Sequence, residues 1–409
     1  MKVTGIIAEY NPFHNGHLYQ IQKARENGAD YVIVVMSGDF LQRGVPAVMD
    51  KYLRTKMALQ NGADLVIELP ALYATGSAWY FAKGGVSLLD KLNVIDTLCF
   101  GCESNTPDSV LQSADILIAE SMQYKNELQS ALKSGNSFPK ARELALTKIA
   151  GTNYPSDLSS PNNILALEYC LALKERNSII APYPVKREGI SYHDESLQNG
   201  VNPSATAIRE LLKDDTFPDS LISYVPQSVY DNLLTNYRKH YPIHPNDFSN
   251  LLKYKILLEG ANGFEKFGDV SVSLSDKIRK YSNQFTTFDA FCLLLKSKDL
   301  TYSRISRSLI HILLHITQEQ YDFYKNHDFT YYARILGFKK EASPLLSQIK
   351  KKTSIPLISK LADAKEQIPD EAQSLFELDI LSSHIYESVV SDRFQTPFQN
   401  EYTKQIISF

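Results

Sequence analysis

The sequence predicts an α/β protein: an N-terminal doubly wound parallel sheet followed by an all-helical C-terminal domain. In the first half, short apolar and β-branched runs alternate with longer amphipathic stretches, which is typical of strand–helix–strand units in a parallel sheet. From about residue 246 the strand patterns fade, and Leu and Ile recur at helical spacing. A chain of 409 residues can bury two cores, so we predict two domains, 1–230 and 231–409.

The predicted elements follow one another in the order that such a sheet requires. Strands are predicted at 3–8, 31–36, 64–69, 94–100 and 179–185, and helices at 18–24, 50–61, 77–92, over most of 105–175, and from 204. The strands are short and mostly rich in Val and Ile, whose branched side chains suit a pleated, buried surface. Gly62, Pro70 and Gly101 each end an element, and Ser77 is a candidate N-cap.

Composition narrows the classes of function. Hydrophobic residues make up 44% of the chain and charged residues 22%, and the net charge is −3, so any RNA contact would need local basic patches. No apolar run approaches ~18 residues and no signal-peptide pattern is present, so we expect no membrane span and a cytoplasmic location. Cys99 and Cys102 have CxxC spacing without a second pair, so two small buried residues are expected rather than zinc ligands.

The tetrad His14-Asn15-Gly16-His17 is the most informative motif. It falls between the first strand and the first helix, where backbone N–H groups and the helix dipole attract phosphate. Gly16 lets the backbone approach a ligand, and His14 and His17 share one face of the helix start. Two imidazoles there can donate hydrogen bonds to a polyphosphate and to departing pyrophosphate. The alternative is a satisfied His pair in a loop, and the position of the motif favours the nucleotide site.

A second segment, Ser-Ala-Thr-Ala-Ile-Arg at 204–209, predicts another phosphate contact. Hydroxyls and N–H groups at a helix start bind phosphate, and Arg209 offers a rigid fork of donors. A capped helix with a surface arginine is the alternative, which the presence of both motifs in this order disfavours. We therefore assign candidate catalytic roles to His14, His17 and Arg209.

Further segments leave alternatives open. Residues 37–44 place polar groups between glycines after the second strand, which suits either a substrate loop or a plain turn. Lys51, Arg54 and Lys56 begin the next helix and either reach phosphate or face solvent. Arg187 follows the late strand and is a candidate for holding triphosphate or adenine.

Other polar residues have both a functional and a structural interpretation. Asn162 either caps the helix that follows it or contacts the nucleotide. His193 beside Asp194 is a candidate general base, although a solvated loop pair is the stronger alternative. His311 and His315 lie four residues apart without a glutamate at the HExxH position or a third ligand, so core or partly buried histidines are favoured over zinc ligands and no metal site is predicted.

The C-terminal part carries local clusters of basic and aromatic residues. Cations that contact phosphates, interleaved with aromatic rings that stack on bases, are typical of an RNA-binding surface. The alternative is that a run of charged residues is usually a solvated face. The candidate RNA-binding residues are Arg304, Arg307, Arg334, Lys339, Lys350 and Lys351, interleaved with Tyr302, Tyr331 and Tyr332.

These motifs resemble a known superfamily. The tetrad resembles the signature of HIGH-type nucleotidyltransferases, which implies a Rossmann-like sheet, and residues 204–209 resemble the ISSTxIR element that replaces the KMSKS loop of synthetases. Longer stretches resemble the bacterial tRNA(Met) cytidine acetate ligase family over nearly the whole chain; they are 5–17, 36–44, 62–70, 100–104, 160–163 and 332–338. Cys102 departs from the smaller residue expected there, such as Ser or Thr.

The family resemblance implies a specific reaction. Such an enzyme joins acetate to ATP as acetyl-adenylate and passes the acetyl group to N4 of the wobble cytidine of elongator tRNA(Met), releasing AMP and pyrophosphate. ATP is then a substrate, Mg²⁺ is expected, the helical domain becomes the tRNA platform, and no obligatory protein partner is evident. The ATP site is expected at Ile7, Ala8, Glu9, Tyr10, Asn11, Pro12, Phe13, His14, Asn15, Gly16, His17, Leu18, Tyr19, Gln20, Gly101, Asn162, Arg187 and Glu188.

Two other functions remain open from the sequence. An adenylyltransferase acting on a small phosphorylated cofactor precursor would explain both motifs but would leave the helical domain without a task. A non-catalytic RNA-binding protein on the same fold is the second alternative, which the intact motifs disfavour.

Overall fold

A mixed sheet of eight strands, with helices on both faces, organises the structure. The structure is a computed structural model that describes residues 1–103, 108–119, 121–136, 138–150, 160–186, 205–213, 216–298 and 300–409. A separate two-stranded hairpin accompanies the sheet.

The strands are β1 (Val3–Ala8), β2 (Tyr31–Ser37), β3 (Phe40–Leu41), β4 (Val45–Pro46), β5 (Leu65–Leu69), β6 (Thr97–Cys102), β7 (Ala181–Lys186), β8 (Ala333–Phe338), β9 (Leu357–Ile358) and β10 (Ile407–Ser408). The helices are α1 (Asn15–Glu26), α2 (Lys51–Gln60), α3 (Ala71–Ala74), α4 (Ala78–Lys91), α5 (Asp108–Ala119), α6 (Met122–Lys133), α7 (Phe138–Ala150), α8 (Pro161–Glu175), α9 (Ala205–Leu211), α10 (Gln227–Asn236), α11 (Ser249–Glu259), α12 (Val272–Tyr281), α13 (Phe288–Leu295), α14 (Tyr302–Leu314), α15 (Gln318–Asn326), α16 (Ser343–Lys352), α17 (Ala364–Gln367) and α18 (Gln373–Phe394).

Strand β1 lies in the middle of the sheet, parallel to β2 on one side and to β6 on the other. The chain moves outward from β1 through β2 to β5, and then crosses back to β6 and β7. The direction of winding therefore reverses at β1. In open α/β sheets, ligands bind at the carboxyl ends of the strands beside such a reversal. The predicted doubly wound α/β class is confirmed, and the His14–His17 motif follows the strand at the switch point.

The predicted elements of the first half agree with the structure to within a few residues. Helix α1 begins at Asn15 rather than Leu18, because His14 caps it. Asp50 caps α2 through its side chain, as expected for the residue before a helix. Strand β6 begins at Thr97, three residues later than the apolar pattern predicts.

The C-terminal part is mostly helical but also completes the sheet. Strand β8 pairs antiparallel with β5, and β9 and β10 pair parallel with β8. The prediction of an all-helical C-terminal domain is corrected by these three strands, and the sheet crosses the predicted boundary after residue 230. Without β8, the N–H and C=O groups along one side of β5 would have no strand partner, and sheets rarely leave such an edge uncovered.

Two hydrophobic cores lie on opposite faces of the sheet. Along β2, Ile33 and Val35 belong to one core, and Val32 and Val34 belong to the other. All four side chains are fully buried, which explains why the strand is a continuous apolar run in the sequence. Helices α4 and α8 cover the first face, and α1, α2 and α10 cover the second. No helix among the described residues is long and apolar enough to cross a bilayer.

Candidate active site

The motif His14-Asn15-Gly16-His17 forms the turn from β1 into α1. Nδ1 of His14 accepts a hydrogen bond from the N–H of Gly16 at 3.0 Å. The backbone N–H of His14 in turn donates to Nδ1 of His17 at 3.2 Å, so the two imidazoles close a reciprocal capping box. Their ring centroids are 3.7 Å apart in a stacked arrangement. The motif therefore caps the helix with the same side chains that were predicted to contact phosphate.

These hydrogen bonds determine which ring nitrogen carries the proton. An Nδ1 atom that accepts from an N–H has no proton of its own, so each neutral ring is protonated on Nε2. His14 is only 3% exposed and His17 is half-buried. Each ring thus carries an Nε2–H donor at the N-terminus of α1, where the helix dipole favours anions. The arrangement is suited to binding phosphate oxygens.

Gly16 is required by the position of the His14 ring. A Cβ atom at residue 16 would lie 2.9 Å from Cε1 of His14, closer than two carbon atoms pack. The sequence suggested that this glycine lets a ligand approach the backbone. In the structure it also makes room for the imidazole itself.

The loop between β1 and the motif is anchored to the segment that follows β2. Oε1 of Glu9 accepts a hydrogen bond from the N–H of Gln42 at 2.9 Å. Oδ1 of Asn11 accepts one from the N–H of Val48 at 2.8 Å. Both side chains therefore stabilise the protein's own backbone and hold the loop in one position.

Several residues that were predicted to contact ATP have buried side chains. Ile7, Tyr10, Asn11 and Phe13 are at most 8% exposed. Tyr10, with φ +49°, packs edge-on against the ring of His17 at a centroid distance of 4.7 Å. Contact between these four residues and a nucleotide would run through their backbone, while their side chains support the histidines.

Arg209 joins the second motif to the first. Its Nη1 donates to the backbone oxygen of Asn11 at 2.9 Å, and its Nη2 donates to Oγ1 of Thr206 at 3.0 Å. Arg209 is on α9, so the two segments that the sequence suggested for one site are adjacent in space. Ser204, the first residue of the predicted motif, lies outside the described residues.

Gly101 lies in β6, beside β1, and the start of α8 holds the loop that follows it. The N–H of Glu103 donates to Oδ1 of Asn163 at 2.8 Å. Nδ2 of Asn162 donates to Oε1 of Glu103. Gly101 and Asn162 are therefore brought to the carboxyl edge of the sheet, where the histidine motif lies. Asn163, which is fully buried, anchors this loop, a role the sequence analysis did not assign.

The remaining predicted ATP-site residues fall into two groups. Asn15, Leu18, Tyr19 and Gln20 are half-buried on α1. Nε2 of Gln20 donates to the backbone oxygen of Cys99 at 3.0 Å, which ties α1 to β6. Arg187 and Glu188 lie outside the described residues, as do His193 and Asp194, the candidate general-base pair.

The three cations of α2 differ sharply in environment. Lys51 and Arg54 are fully buried, so neither of the two sequence alternatives, phosphate contact or solvent exposure, describes them. Lys56 is half-buried and lines a surface cavity of about 630 Å³ together with His240 and Lys404. Three cations within six residues of one helix thus have three different environments.

Residues 37–44 are more than a plain turn. They build the β3–β4 hairpin, in which Asp39 and Leu41 are buried. The tip of the hairpin contacts α14, where Oγ of Ser306 donates to the backbone oxygen of Gly44 at 2.6 Å. The hairpin therefore connects the loop of the histidine motif to the C-terminal helices.

A buried ionic cluster joins α2 and β5 to the C-terminal part of the chain. Nζ of Lys51 is 2.7 Å from carboxylate oxygens of both Glu68 and Glu401. Arg334 pairs with the same two carboxylates, at 2.9 Å from Glu68. Burial opposes the charge of Glu401, but Lys51 and Arg334 outweigh burial and hold the pKa of that carboxyl far below its usual range.

The prediction that Arg334 contacts RNA is corrected by this cluster. Its side chain is 4% exposed and its Nη1 and Nη2 atoms face internal carboxylates. Exposing it would leave two buried carboxylates short of a partner, at a cost of several kcal/mol. The sequence signal, a basic residue beside two tyrosines, does not distinguish this environment from a surface patch.

The other predicted RNA-binding residues lie at two different edges of the sheet. Arg304 and Arg307 are on α14, which packs against the β3–β4 hairpin at the carboxyl edge. The N–H of Lys339 donates to the backbone oxygen of Asp64, just before β5, which places Lys339 at the amino edge. The exposed Lys350 and Lys351, at the end of α16, lie on that side too, since Lys352 accepts a hydrogen bond from Asn93, just after α4.

The structure bears on two structural interpretations from the sequence. His311 is fully buried and bonds to the backbone oxygens of Gly268 and Thr75, so it is a core histidine as expected. His315 is exposed at the end of α14, so the expectation of a core or partly buried residue is wrong for it. Cys99 and Cys102 are buried, as expected. In the described part of the chain, no group of three or more His, Cys, Asp or Glu side chains could hold a metal ion.

Comparison with known proteins places this site in a family. A family model described as HIGH Nucleotidyl Transferase matches residues 1–401. The tRNA(Met) cytidine acetate ligase of Thermoanaerobacter sp. is 41% identical over 389 residues, which are 94% of this chain and 95% of that protein. The tRNA(Met) cytidine acetate ligase of Acetivibrio thermocellus is 38% identical over 414 residues, covering both chains completely.

Solved structures agree with the sequence relatives. The apo crystal structure of Thermotoga maritima TmcAL superposes with a TM-score of 0.92 and 31% identity over 100% of both chains. The structure of the same protein bound with alpha-thio ATP gives a TM-score of 0.90 and 30% identity, covering 100% of this chain and 99% of that one. The chain therefore belongs to the HIGH nucleotidyltransferases and, among them, to the tRNA(Met) cytidine acetate ligase family.

Proposed function

We propose that this protein is an ATP-dependent ligase that forms acetyl-adenylate and acetylates N4 of the wobble cytidine of elongator tRNA(Met), releasing AMP and pyrophosphate. The single observation that carries the proposal is the capping box of His14 and His17, which presents two Nε2–H donors beside Arg209 at the start of α1. The names of the relatives at about 40% identity support the same reaction.

The first step is the transfer of an adenylyl group to acetate. A carboxylate oxygen of acetate attacks the α-phosphorus of ATP in line, and the bond from that phosphorus to the pyrophosphate oxygen breaks. His14, His17 and Arg209 are proposed to bind the charge that develops on the departing pyrophosphate. The protein needs no covalent intermediate, because positioning and charge stabilisation carry a displacement at phosphorus.

Mg²⁺ is proposed to enter with the triphosphate. Glu9 and Glu103 supply carboxylates in loops at the carboxyl edge, and carboxylates combined with substrate phosphates are the usual ligands of this ion. When bound, the ion would neutralise charge on the transferring and leaving phosphates. The described residues would bind and orient the substrates around it.

The second step requires the tRNA to reach the same edge of the sheet. The N4 amine of the cytidine attacks the acetyl carbon, AMP leaves, and the amine loses one proton. Arg304 and Arg307 are proposed to bind tRNA phosphates near this edge, because the helix that carries them packs on the β3–β4 hairpin. Lys339, Lys350 and Lys351 are proposed to bind a more distant part of the tRNA, and the reaction is proposed to take place in the cytoplasm.

Release of AMP from ATP, followed by nucleoside analysis of the tRNA, tests the proposal. Purified protein is assayed with and without acetate and tRNA(Met). Acetate-dependent AMP together with N4-acetylcytidine in the tRNA is the expected result. AMP release or pyrophosphate exchange that does not depend on acetate would overturn the ligase assignment and point to another acceptor of the adenylyl group.

The variant His17→Ala tests the role of the motif. Loss of one preoriented donor to developing charge should lower acetate-dependent ATP–pyrophosphate exchange about 10²–10³-fold. Retention of tRNA in a gel-shift assay should be unchanged, because residue 17 lies at the ATP site. Exchange at the wild-type rate in this variant would contradict the assignment.

A further inference from the structure

Arg54 is a buried cation whose hydrogen bonds all end on backbone carbonyl oxygens within the described part of the chain. Nε donates to the oxygen of Met49 at 3.1 Å. Nη1 donates to the oxygens of Glu9 at 2.7 Å and of Ser37 at 3.0 Å, and Nη2 donates to the oxygen of Gly38. The side chain has no exposed surface. Four carbonyl groups from three segments therefore converge on one guanidinium.

Burying this charged side chain costs free energy unless its hydrogen bonds satisfy groups that an apolar side chain could not. Burial lowers the pKa of Arg54, since the charged form is removed from water. A buried charge costs several kcal/mol and is usually compensated by a carboxylate partner. Here the nearby carboxylates, Asp39 first among them, favour the charged form, while the hydrogen bonds go to carbonyl oxygens, which a methionine or leucine at this position could not satisfy. The residue type is therefore matched to the geometry of the backbone around it.

Three of the four accepting carbonyl groups lie at the carboxyl ends of the two central strands. Glu9 follows β1 directly, and its loop leads to the histidine motif. Ser37 is the last residue of β2, and Gly38 opens the hairpin. The two N–H groups of Nη1 reach one carbonyl on each side, so a single nitrogen spans the carboxyl ends of β1 and β2. The separation of these two ends sets where the loop before α1 begins.

We infer that Arg54 is a positioning residue for the adenylation step: its guanidinium holds the loop of the histidine motif against the end of β2 and so places His14 and His17. The inference rests on the proposed function for its kinetic test. Arg54 itself does not touch substrate in this account. Its effect is transmitted through the backbone of Glu9 and the residues that follow.

Lysine cannot replace arginine in this role. A single ammonium on a flexible stem can reach at most three acceptors from one point, whereas the planar guanidinium reaches acceptors on two sides at fixed angles. Arg54→Lys therefore keeps the charge and loses the bridge. Arg54→Gln removes the charge but keeps two N–H donors, which avoids a misplaced buried cation if the lysine variant does not fold.

Arg25 provides a matched control at the opposite edge of the same sheet. Its Nη1 donates to the backbone oxygens of Ala29 and Asp30, and its Nη2 donates to the oxygen of Gly62 and also to the carboxylate of Asp64. These residues lie just before β2 and β5, far from the histidine motif. Arg25→Lys therefore breaks the same kind of bridge without moving the site.

The experiment compares Arg54→Lys, Arg54→Gln and Arg25→Lys with the wild-type chain. Acetate-dependent ATP–pyrophosphate exchange gives kcat and the KM for ATP, and thermal unfolding gives the loss of stability. We expect both Arg54 variants to lose at least about tenfold in kcat with a smaller change in KM, because a displacement near 1 Å can cost about 10²-fold. Arg25→Lys should lower the unfolding temperature and keep kcat.

A spectroscopic measurement separates this inference from the proposed function. The imidazole nitrogen NMR signals of His14 and His17 report the proton on Nε2 and the hydrogen bonds at Nδ1. These signals should shift in the Arg54 variants and stay in place in Arg25→Lys, whether or not acetate is the substrate. Absence of acetate-dependent exchange in the wild-type protein would overturn the proposed function alone.

Several results would overturn the inference itself. Equal losses of kcat in Arg54→Lys and Arg25→Lys would show a general effect of stability. Unchanged NMR signals of His14 and His17 in the Arg54 variants would show the same. If neither Arg54 variant folds, Arg54 is a folding residue and the positioning role falls. Full activity in Arg54→Lys would mean that charge alone suffices.

Discussion

His14 combines two tasks that are usually divided between residues. Its Nδ1 accepts from the N–H of Gly16 as a helix cap does, and its Nε2–H is proposed to donate to phosphate. Asparagine is among the strongest N-cap residues but has no donor at the position of Nε2. The two tasks can therefore be separated by substitution.

His14→Ala should cost about 0.5–2 kcal/mol of stability through loss of the cap, and His14→Asn should recover most of it. Neither variant should regain ATP–pyrophosphate exchange, since the donor to phosphate is missing in both. Urea unfolding and exchange assays on the same preparations measure the two effects. Exchange restored by asparagine would mean that His14 acts only as a cap.

At the scale of single residues, the placement of the motif residues was easier to predict than that of the isolated cations. His14 and His17 lie at a helix start and Arg209 contacts their loop, as their spacing predicted, and their roles in catalysis belong to the proposal. The environments of Lys51 and Arg334 could not be predicted. The residue type is the same whether the side chain faces solvent or a carboxylate hundreds of residues away in the chain. Only the folded chain brings the partners together.

At the scale of elements, the contact between the β3–β4 hairpin and α14 connects the ATP site to the C-terminal helices. Gly44 has φ +71°, and a Cβ atom there would lie 2.2 Å from the backbone nitrogen of Arg307. The hairpin also holds Glu9 through the N–H of Gln42. A displaced hairpin would therefore disturb both the helix packing and the loop of the histidine motif.

Gly44→Ala should destabilise the protein more than Gly135→Ala. Both glycines have positive φ, so both variants carry the backbone cost of about 1–2 kcal/mol, but a Cβ at residue 135 meets nothing within 4 Å. Overpacking against α14 should add about 1–3 kcal/mol at residue 44 and lower exchange activity. Chemical denaturation of the two variants checks the difference, and equal losses would contradict the close contact.

The elements of the first half were predictable because parallel strands buried on both faces are nearly continuous apolar runs. β2 is the clearest case, with alternate residues in the two cores. β8 was not predicted, since six residues within a region of helical spacing give too little periodicity to identify a strand. β8 forms a strand because it pairs with the side of β5 that would otherwise lack a partner, and that side exists only in the folded sheet.

At the scale of the whole molecule, a carboxyl group links α18 to the sheet. Oδ1 of Asp379 accepts from the N–H of Ala71, and Oδ2 accepts from the hydroxyl of Tyr332. Burial raises the pKa of Asp379 to about 7, and the neighbouring charge of Glu68 acts in the same direction. The folded protein therefore retains a proton that the unfolded chain, with an aspartate pKa near 4, loses earlier.

The sign of the pH dependence follows from this difference. Between pH values of about 4 and 7 the folded state binds more protons at Asp379, so its contribution to the free energy of unfolding falls as pH rises. Asp379→Asn removes that contribution, so the wild-type protein should lose more stability than the variant between about pH 5 and pH 8. Denaturant unfolding of the wild type and of Asp379→Asn at both pH values measures this difference in stability. Asp231→Asn, on the exposed side of α10, should follow the wild type, and parallel behaviour of Asp379→Asn would contradict the assignment.

The ionic cluster around Lys51 has a consequence for the synthesis of the chain. Glu401 is translated 67 residues after Arg334 and long after Lys51. Until it emerges from the ribosome, Glu68 is the one member of the carboxylate pair available to the two cations. The sheet therefore reaches its final charge balance only after residue 401 has been translated. Until then, Lys51 faces Glu68 and Asp39, and Arg334 has Glu68 alone of its two carboxylates. The cluster in a nascent chain is accordingly one carboxylate short until Glu401 is added.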